Sequence, residues 1–153
     1  AGANIAAHAC LWRKGIKAAQ LNCAPLDFST FTAQYAAMGQ TRTASRYPEE
    51  DTSYESMYLG GSIRECPESC KRANPANYVD KDAPHFLLLH GTMDMAVPYL
   101  QSVDFVNEVK RLTGDNTRAE LLLIEGGDHD SVVLDLPDIF ESKLRFFTRY
   151  LKG

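Results

Sequence analysis

Two short runs of wholly apolar side chains, residues 86–89 and 121–124, limit what this chain can fold into more than any other feature. Neither is long enough to make a buried helix. Between them, residues 99–112 place Val103, Val106 and Val109 on one side and Asp104, Glu108 and Lys110 on the other, the spacing of an amphipathic helix. Strand, helix and strand in that order form a parallel crossover, and strands apolar on both faces belong in a sheet covered on both sides. The same periodicities predict a helix over residues 3–12, with Ile5, Ala9 and Trp12 facing inward, and a strand over 16–21. A closing helix is expected over 137–151, with Pro137 at its start and Ile139, Leu144, Phe147 and Leu151 as its core face.

Residues 27–82 break this regularity. Phe28, Phe31, Tyr35 and Met38 have helical spacing, but Tyr47-Pro48, Gly60-Gly61, Cys66-Pro67 and Asn74-Pro75 interrupt the rest. A structureless loop of this length is uncommon in a compact domain, so the segment reads as an inserted cap of short helices. Insertions of this kind often carry substrate contacts. Tyr35, Tyr47, Tyr54 and Tyr58 are therefore candidates for lining a substrate pocket, with ordinary cap packing as the alternative for each. The order of elements is helix, strand, cap, strand, helix, strand, helix, which makes the fold class α/β.

With 153 residues, the chain is the size of one domain. Its net charge of -4, with scattered Lys and Arg, argues against a nucleic-acid partner. No apolar run approaches the ~18 residues needed to cross a bilayer, so no membrane partner is expected. The four cysteines, Cys10, Cys23, Cys66 and Cys70, lack the paired CxxC spacing of a zinc ribbon. Cys66 and Cys70 are close enough for a short disulfide across a Pro-containing loop, or they are two free thiols.

Parallel sheets of this type place their chemistry in loops at the C-terminal strand ends. Two such loops carry acid/base residues. Asp94 lies in His90-Gly91-Thr92-Met93-Asp94, and His129 in Glu125-Gly126-Gly127-Asp128-His129. An Asp on one strand tip can fix the tautomer of a His on the next, leaving the far ring nitrogen free as a general base. His8 reads as a helix-surface or packing residue and His85 as exposed, while His90, at a strand end, is given no role. Asp128, His129 and Asp130 alternate in direction and make a poor ligand set, so no metal is expected.

The stretch from Phe86 to His129 resembles the C-terminal half of an α/β-hydrolase, nearest to the carboxylesterases that include acetyl xylan and feruloyl esterases. Phe-Leu-Leu-Leu-His-Gly-Thr-x-Asp-x-x-Val-Pro, followed by Gln101-Ser102 opening a helix, is similar to that family, as is the second strand ending in Ile-x-Gly-Gly-x-His. The resemblance implies a catalytic triad with Asp94 as its acid and His129 as its histidine, in the chain order Ser, Asp, His. It also implies that Ala1-Gly2, which opens an Ala-rich helix, is the downstream arm of a Gly-x-Ser-x-Gly nucleophile elbow. The serine would then be bonded to Ala1, and the Ala1 backbone N–H would belong to the oxyanion hole.

On this likeness residues 1–153 are the C-terminal part of one α/β-hydrolase domain, with 27–82 as its cap, and the N-terminal half of the same fold is its structural partner. The three strands would need neighbours from that half. Ser29, Ser102 and Ser131 are not in elbow contexts. The implied activity is serine ester hydrolysis without a cofactor, on acetyl or hydroxycinnamoyl esters of plant polysaccharide. A serine exopeptidase of the same fold and a non-catalytic, partner-binding half-domain are the alternatives. The Cys66/Cys70 pair and the polysaccharide-ester likeness favour a secreted or periplasmic location.

Overall fold

The computed structural model describes residues 1–39, 50–129 and 135–151. Three strands, β1 (Ala18–Asn22), β2 (His85–Gly91) and β3 (Ala119–Ile124), form one parallel sheet in the order β1-β2-β3. Ala18 pairs with His85, and Phe86 with Ala119, so all three C-terminal ends lie along one edge. The strands therefore do find partners among themselves, with β2 in the middle, while β1 and β3 form the two edges.

The alternation of side chains along β2 divides the core. Phe86 and Leu88 face one layer with Ala19, Leu21, Phe105, Val106 and Val109. Leu87 and Leu89 face the other with Cys23, Ile124 and Phe146. The first layer is closed by α1 (Gly2–Trp12) and α5 (Leu100–Thr113), and the second by α6 (Pro137–Leu151). Phe86 is fully buried and meets Phe105 edge-on with ring centroids 5.4 Å apart. Truncating Phe86 to alanine is expected to cost about 3–5 kcal/mol of stability, because the cavity sits between sheet and helix where neither can close over it. Urea denaturation checks this, and a loss below about 1 kcal/mol would contradict the packing described here.

Two helix faces differ from the sequence expectation. In α1 the buried residues are Asn4, Ala7 and His8, while Ile5 and Trp12 are more than half exposed. The small Ala7 lets the helix approach the sheet closely, and buried Asn4 acts as a polar anchor. Its Nδ2 donates to the carbonyls of Pro25 (2.8 Å) and Ala73 (2.9 Å), and its Oδ1 accepts from the Tyr58 hydroxyl (2.9 Å). In α6 Ile139 and Phe147 pack against the core as expected, with Phe146 buried beside them, whereas Leu144 and Leu151 are exposed. His85 is half-buried, its ring stacked on Tyr150.

Residues 27–82 contain short helices. A single 3-10 turn at Phe28–Thr30 leads into α2 (Phe31–Ala37), then come α3 (Tyr54–Leu59) and α4 (Pro67–Ala73), and a second 3-10 turn spans Pro75–Tyr78. Phe28, Phe31, Tyr35, Leu59, Cys70 and Val97 form their own apolar cluster. Buried Gln101 on α5 fastens this segment to the sheet: Oε1 accepts from the Leu26 N–H (2.8 Å) and Asp27 N–H (2.6 Å), and Nε2 donates to Gln34 Oε1 (2.6 Å). Residues 66–70 form the start of helix α4, with the Cys70 N–H donating to the Cys66 carbonyl (3.0 Å), where the disulfide reading placed a loop. Cys66 and Cys70 are both free thiols, which corrects the disulfide alternative.

Candidate active site

The C-terminal ends of β2 and β3 are stitched into a single platform. Thr92 N–H donates to the Ile124 carbonyl (3.0 Å) and Met93 N–H to the Gly127 carbonyl (2.9 Å), while Gly126 N–H donates to Thr92 Oγ1 (2.9 Å). The left-handed backbone at Gly126 turns the second loop back toward the first. Gly91 lies so close to this loop that a Cβ there would fall on the Gly127 carbonyl carbon and oxygen. The Gly91→Ala substitution should therefore push the two loops apart. We expect it to lower stability by about 1–3 kcal/mol. A melting curve checks this, and an unchanged value would refute the tight approach.

This platform brings Asp94 and His129 together. His129 Nδ1 and Asp94 Oδ2 are 2.8 Å apart. Asp94 is completely buried, and its carboxylate is saturated with donors. Oδ1 accepts from the N–H groups of Ala96 and Val97, both at 2.8 Å. Oδ2 accepts from His129 and, at 3.2 Å, from His90 Nε2. Burial alone would oppose ionisation, but the bonds from His129, His90 and Val97 outweigh it and hold the carboxyl well below the usual carboxylate range. In return the hydrogen bond to Asp94, with a smaller contribution from the nearby Cys23 side chain, raises the His129 imidazole above its ordinary value. The His129 backbone N–H donates to Asp128 Oδ1 (2.7 Å), which fixes the loop from its other side.

His90, assigned no role in the sequence reading, is a positioning residue for Asp94. Its Nε2 faces only acceptors, Asp94 Oδ2 and the Val97 carbonyl (3.1 Å), so that nitrogen carries a proton. Nδ1 then accepts from Ser102 Oγ at 2.7 Å. His90 and Ser102 are both fully buried, so the network rests on α5 as well as on the strand. The sequence signal for it was the polar pair Gln101-Ser102 on the otherwise apolar buried face of the amphipathic helix α5.

Cys23 is a further residue that sequence reasoning missed. It follows β1 with a left-handed backbone (φ 45°), which is rare for a side chain other than Gly, Asn or Asp. Its Sγ, a His129 ring nitrogen and an Asp94 carboxylate oxygen all lie within 4.8 Å of one another. Ala1 is the exposed N-cap of α1, its carbonyl accepting from the Ile5 N–H (3.1 Å). Of the four tyrosines considered for a pocket, Tyr35 is buried with its hydroxyl on the Ala96 carbonyl (2.7 Å), Tyr58 binds Asn4, and Tyr54 is exposed. Tyr47 lies outside the described residues, as do Asp130 and Ser131.

A parallel sheet flanked on both faces by helices, with Asp and His on adjacent strand-end loops, corresponds to the C-terminal half of the α/β-hydrolase fold. The chain belongs to the BD-FAE family, whose model matches residues 12–109, a segment that includes Asp94 and ends before His129. No curated protein matches it.

Among solved structures, it is similar to a truncated carbohydrate esterase from gut microbiota, with a TM-score of 0.78 and 22% identity over 97% of this chain and 56% of that one. It is also similar to a bifunctional GH43-CE protein of Bacteroides eggerthii (TM-score 0.76, 20% identity, 97% of this chain and 20% of that one). An acylaminoacyl peptidase of Pyrococcus horikoshii has a TM-score of 0.70 and 19% identity, over 99% of this chain and 23% of that one. The chain thus spans little more than half the length of the first of these proteins, and less than a quarter of the other two.

Proposed function

We propose that this chain supplies the acid and base of a serine ester hydrolase. The observation that carries the proposal is the 2.8 Å pairing of His129 Nδ1 with a buried, donor-saturated Asp94. A carboxylate held ionised in this way keeps the proton on Nδ1, so Nε2 is the free, basic nitrogen. The nucleophile in this scheme is a serine outside residues 1–153, bonded to Ala1. His129 Nε2 takes the proton from the serine hydroxyl as its oxygen attacks the ester carbonyl. It returns that proton to the leaving alcohol as the C–O bond breaks, and the acyl-enzyme is then hydrolysed by water activated at the same nitrogen. The Ala1 N–H, an amide in that arrangement, helps hold the oxyanion, with roughly 2.7–4 kcal/mol per donor.

The substrates proposed are acetyl or hydroxycinnamoyl esters on plant polysaccharide. This is supported by membership of the BD-FAE family and by similarity to a carbohydrate esterase and to a GH43-CE protein. A second reading, a serine exopeptidase, is favoured by the similarity to acylaminoacyl peptidase and to a puromycin-hydrolyzing peptidase of Mycobacterium tuberculosis. Assaying the full-length protein against 4-nitrophenyl acetate, methyl ferulate and an aminoacyl arylamide separates the two. Cleavage of the esters supports the first reading, cleavage of the arylamide alone supports the second, and cleavage of none overturns both.

A further inference from the structure

We propose that Cys23, Asp94 and His129 form an inhibitory binding site for a thiophilic divalent cation such as Zn2+ or Cd2+. One sulfur, one imidazole nitrogen and one carboxylate oxygen are the donor types such ions combine in three-ligand sites, the fourth position being left to water. All three donor atoms lie within 4.8 Å of one another. Tetrahedral coordination with bonds of about 2.0–2.3 Å brings ligand atoms somewhat closer than that, so a small convergence of the two loops completes the site. His129 Nδ1 and Asp94 Oδ2, hydrogen-bonded at 2.8 Å, would open to roughly 3.3 Å with an ion between them.

Charge supports the assignment. A thiolate and a carboxylate together neutralise a divalent cation, and both Cys23 and Asp94 are buried, which strengthens the attraction. The left-handed backbone at Cys23 turns the chain at the end of β1 and sets the thiol beside the next two strand ends.

The proton balance explains why binding would inhibit. The metal displaces the Nδ1 proton of His129, and Nε2 takes one up, so the ring remains neutral in the opposite tautomer. The Cys23 thiol releases one proton to water, and nothing is oxidised or reduced. A protonated Nε2 can donate but cannot accept the serine proton. The loss of activity therefore rests on the proposed hydrolytic function, whereas the binding itself does not.

The test uses the full-length protein, freed of metal by chelation and titrated with CdCl2. The expected result is one Cd2+ per chain with a thiolate-to-cadmium absorption band, and loss of ester hydrolysis at the same midpoint, reversed by EDTA. Cys23→Ala and Cys23→Gly, the latter suited to a positive φ, should lose the band and raise the midpoint for inhibition, each relative to its own metal-free rate, by ~100-fold or more. A band and midpoint unchanged in both variants would overturn the site. Should neither variant fold, the cadmium X-ray absorption spectrum of the wild-type protein decides. One sulfur with one imidazole supports the site, and a shell without sulfur or with two sulfurs refutes it. A full band on protein that hydrolyses no ester even when metal-free supports the site and counts against the hydrolase reading alone.

Discussion

Replacing His129 with alanine in the full-length protein is expected to lower turnover by about a million-fold, with much less change in KM. In the proposed scheme one imidazole takes the serine proton, returns it to the leaving alcohol and activates the deacylating water. No second group in the described site has a free basic nitrogen in that position. His90 is fully buried, and both its ring nitrogens are occupied by Ser102, Val97 and Asp94. Triads act as units, so removing the base costs nearly as much as removing the whole triad. The fold should survive, because His129 is a partly exposed loop residue whose backbone is held independently by Asp128. Steady-state kinetics together with a thermal melt check this. Turnover within about tenfold of wild type would exclude His129 as the base.

Changing Asp94 to asparagine should lower turnover by about ten-thousand-fold and should also move the pH profile. The amide keeps the shape but loses the charge, and its NH2 can donate where the carboxylate accepted from His129 or from the Ala96 and Val97 N–H groups. The sign of the pH effect follows from the ionised Asp94, which stabilises the His129 imidazolium and so raises its pKa. The neutral imidazole is the working base, so the wild-type rate rises as pH increases through that raised value, with an acid limb above the ordinary ~6.5. With Asp94→Asn the limb should move to lower pH while the plateau falls. A limb that stays in place would mean that the Asp94 charge does not govern the titrating group.

The positions of the strands were legible because β2 is apolar on both faces, and this marked Asp94 and His129 as strand-end residues before any geometry was known. The inward face of α1 was not legible, and that of α6 only in part, through Ile139 and Phe147. Apolar residues surround both helices, and small Ala7 and a buried amide decide the contact of α1 where Ile5 and Trp12 looked like better candidates. Asn4, Gln101 and His90 escaped for a related reason: a buried polar side chain is explained only by partners distant in sequence, such as Ala73 for Asn4 and Asp27 for Gln101. Cys23 gave no signal because a left-handed residue at a strand end is usually announced by Gly or Asn, and here the Asn is the preceding residue, Asn22.

The central claim, that Asp94 and His129 serve a serine nucleophile, is tested most directly by treating the full-length protein with a fluorophosphonate and mapping the labelled peptide. Such reagents capture serines whose hydroxyl is activated by a neighbouring base. The predicted result is a single labelled serine, bonded to Ala1, with labelling abolished in His129→Ala. Label on a serine within residues 1–153, or equal labelling in His129→Ala, would contradict it.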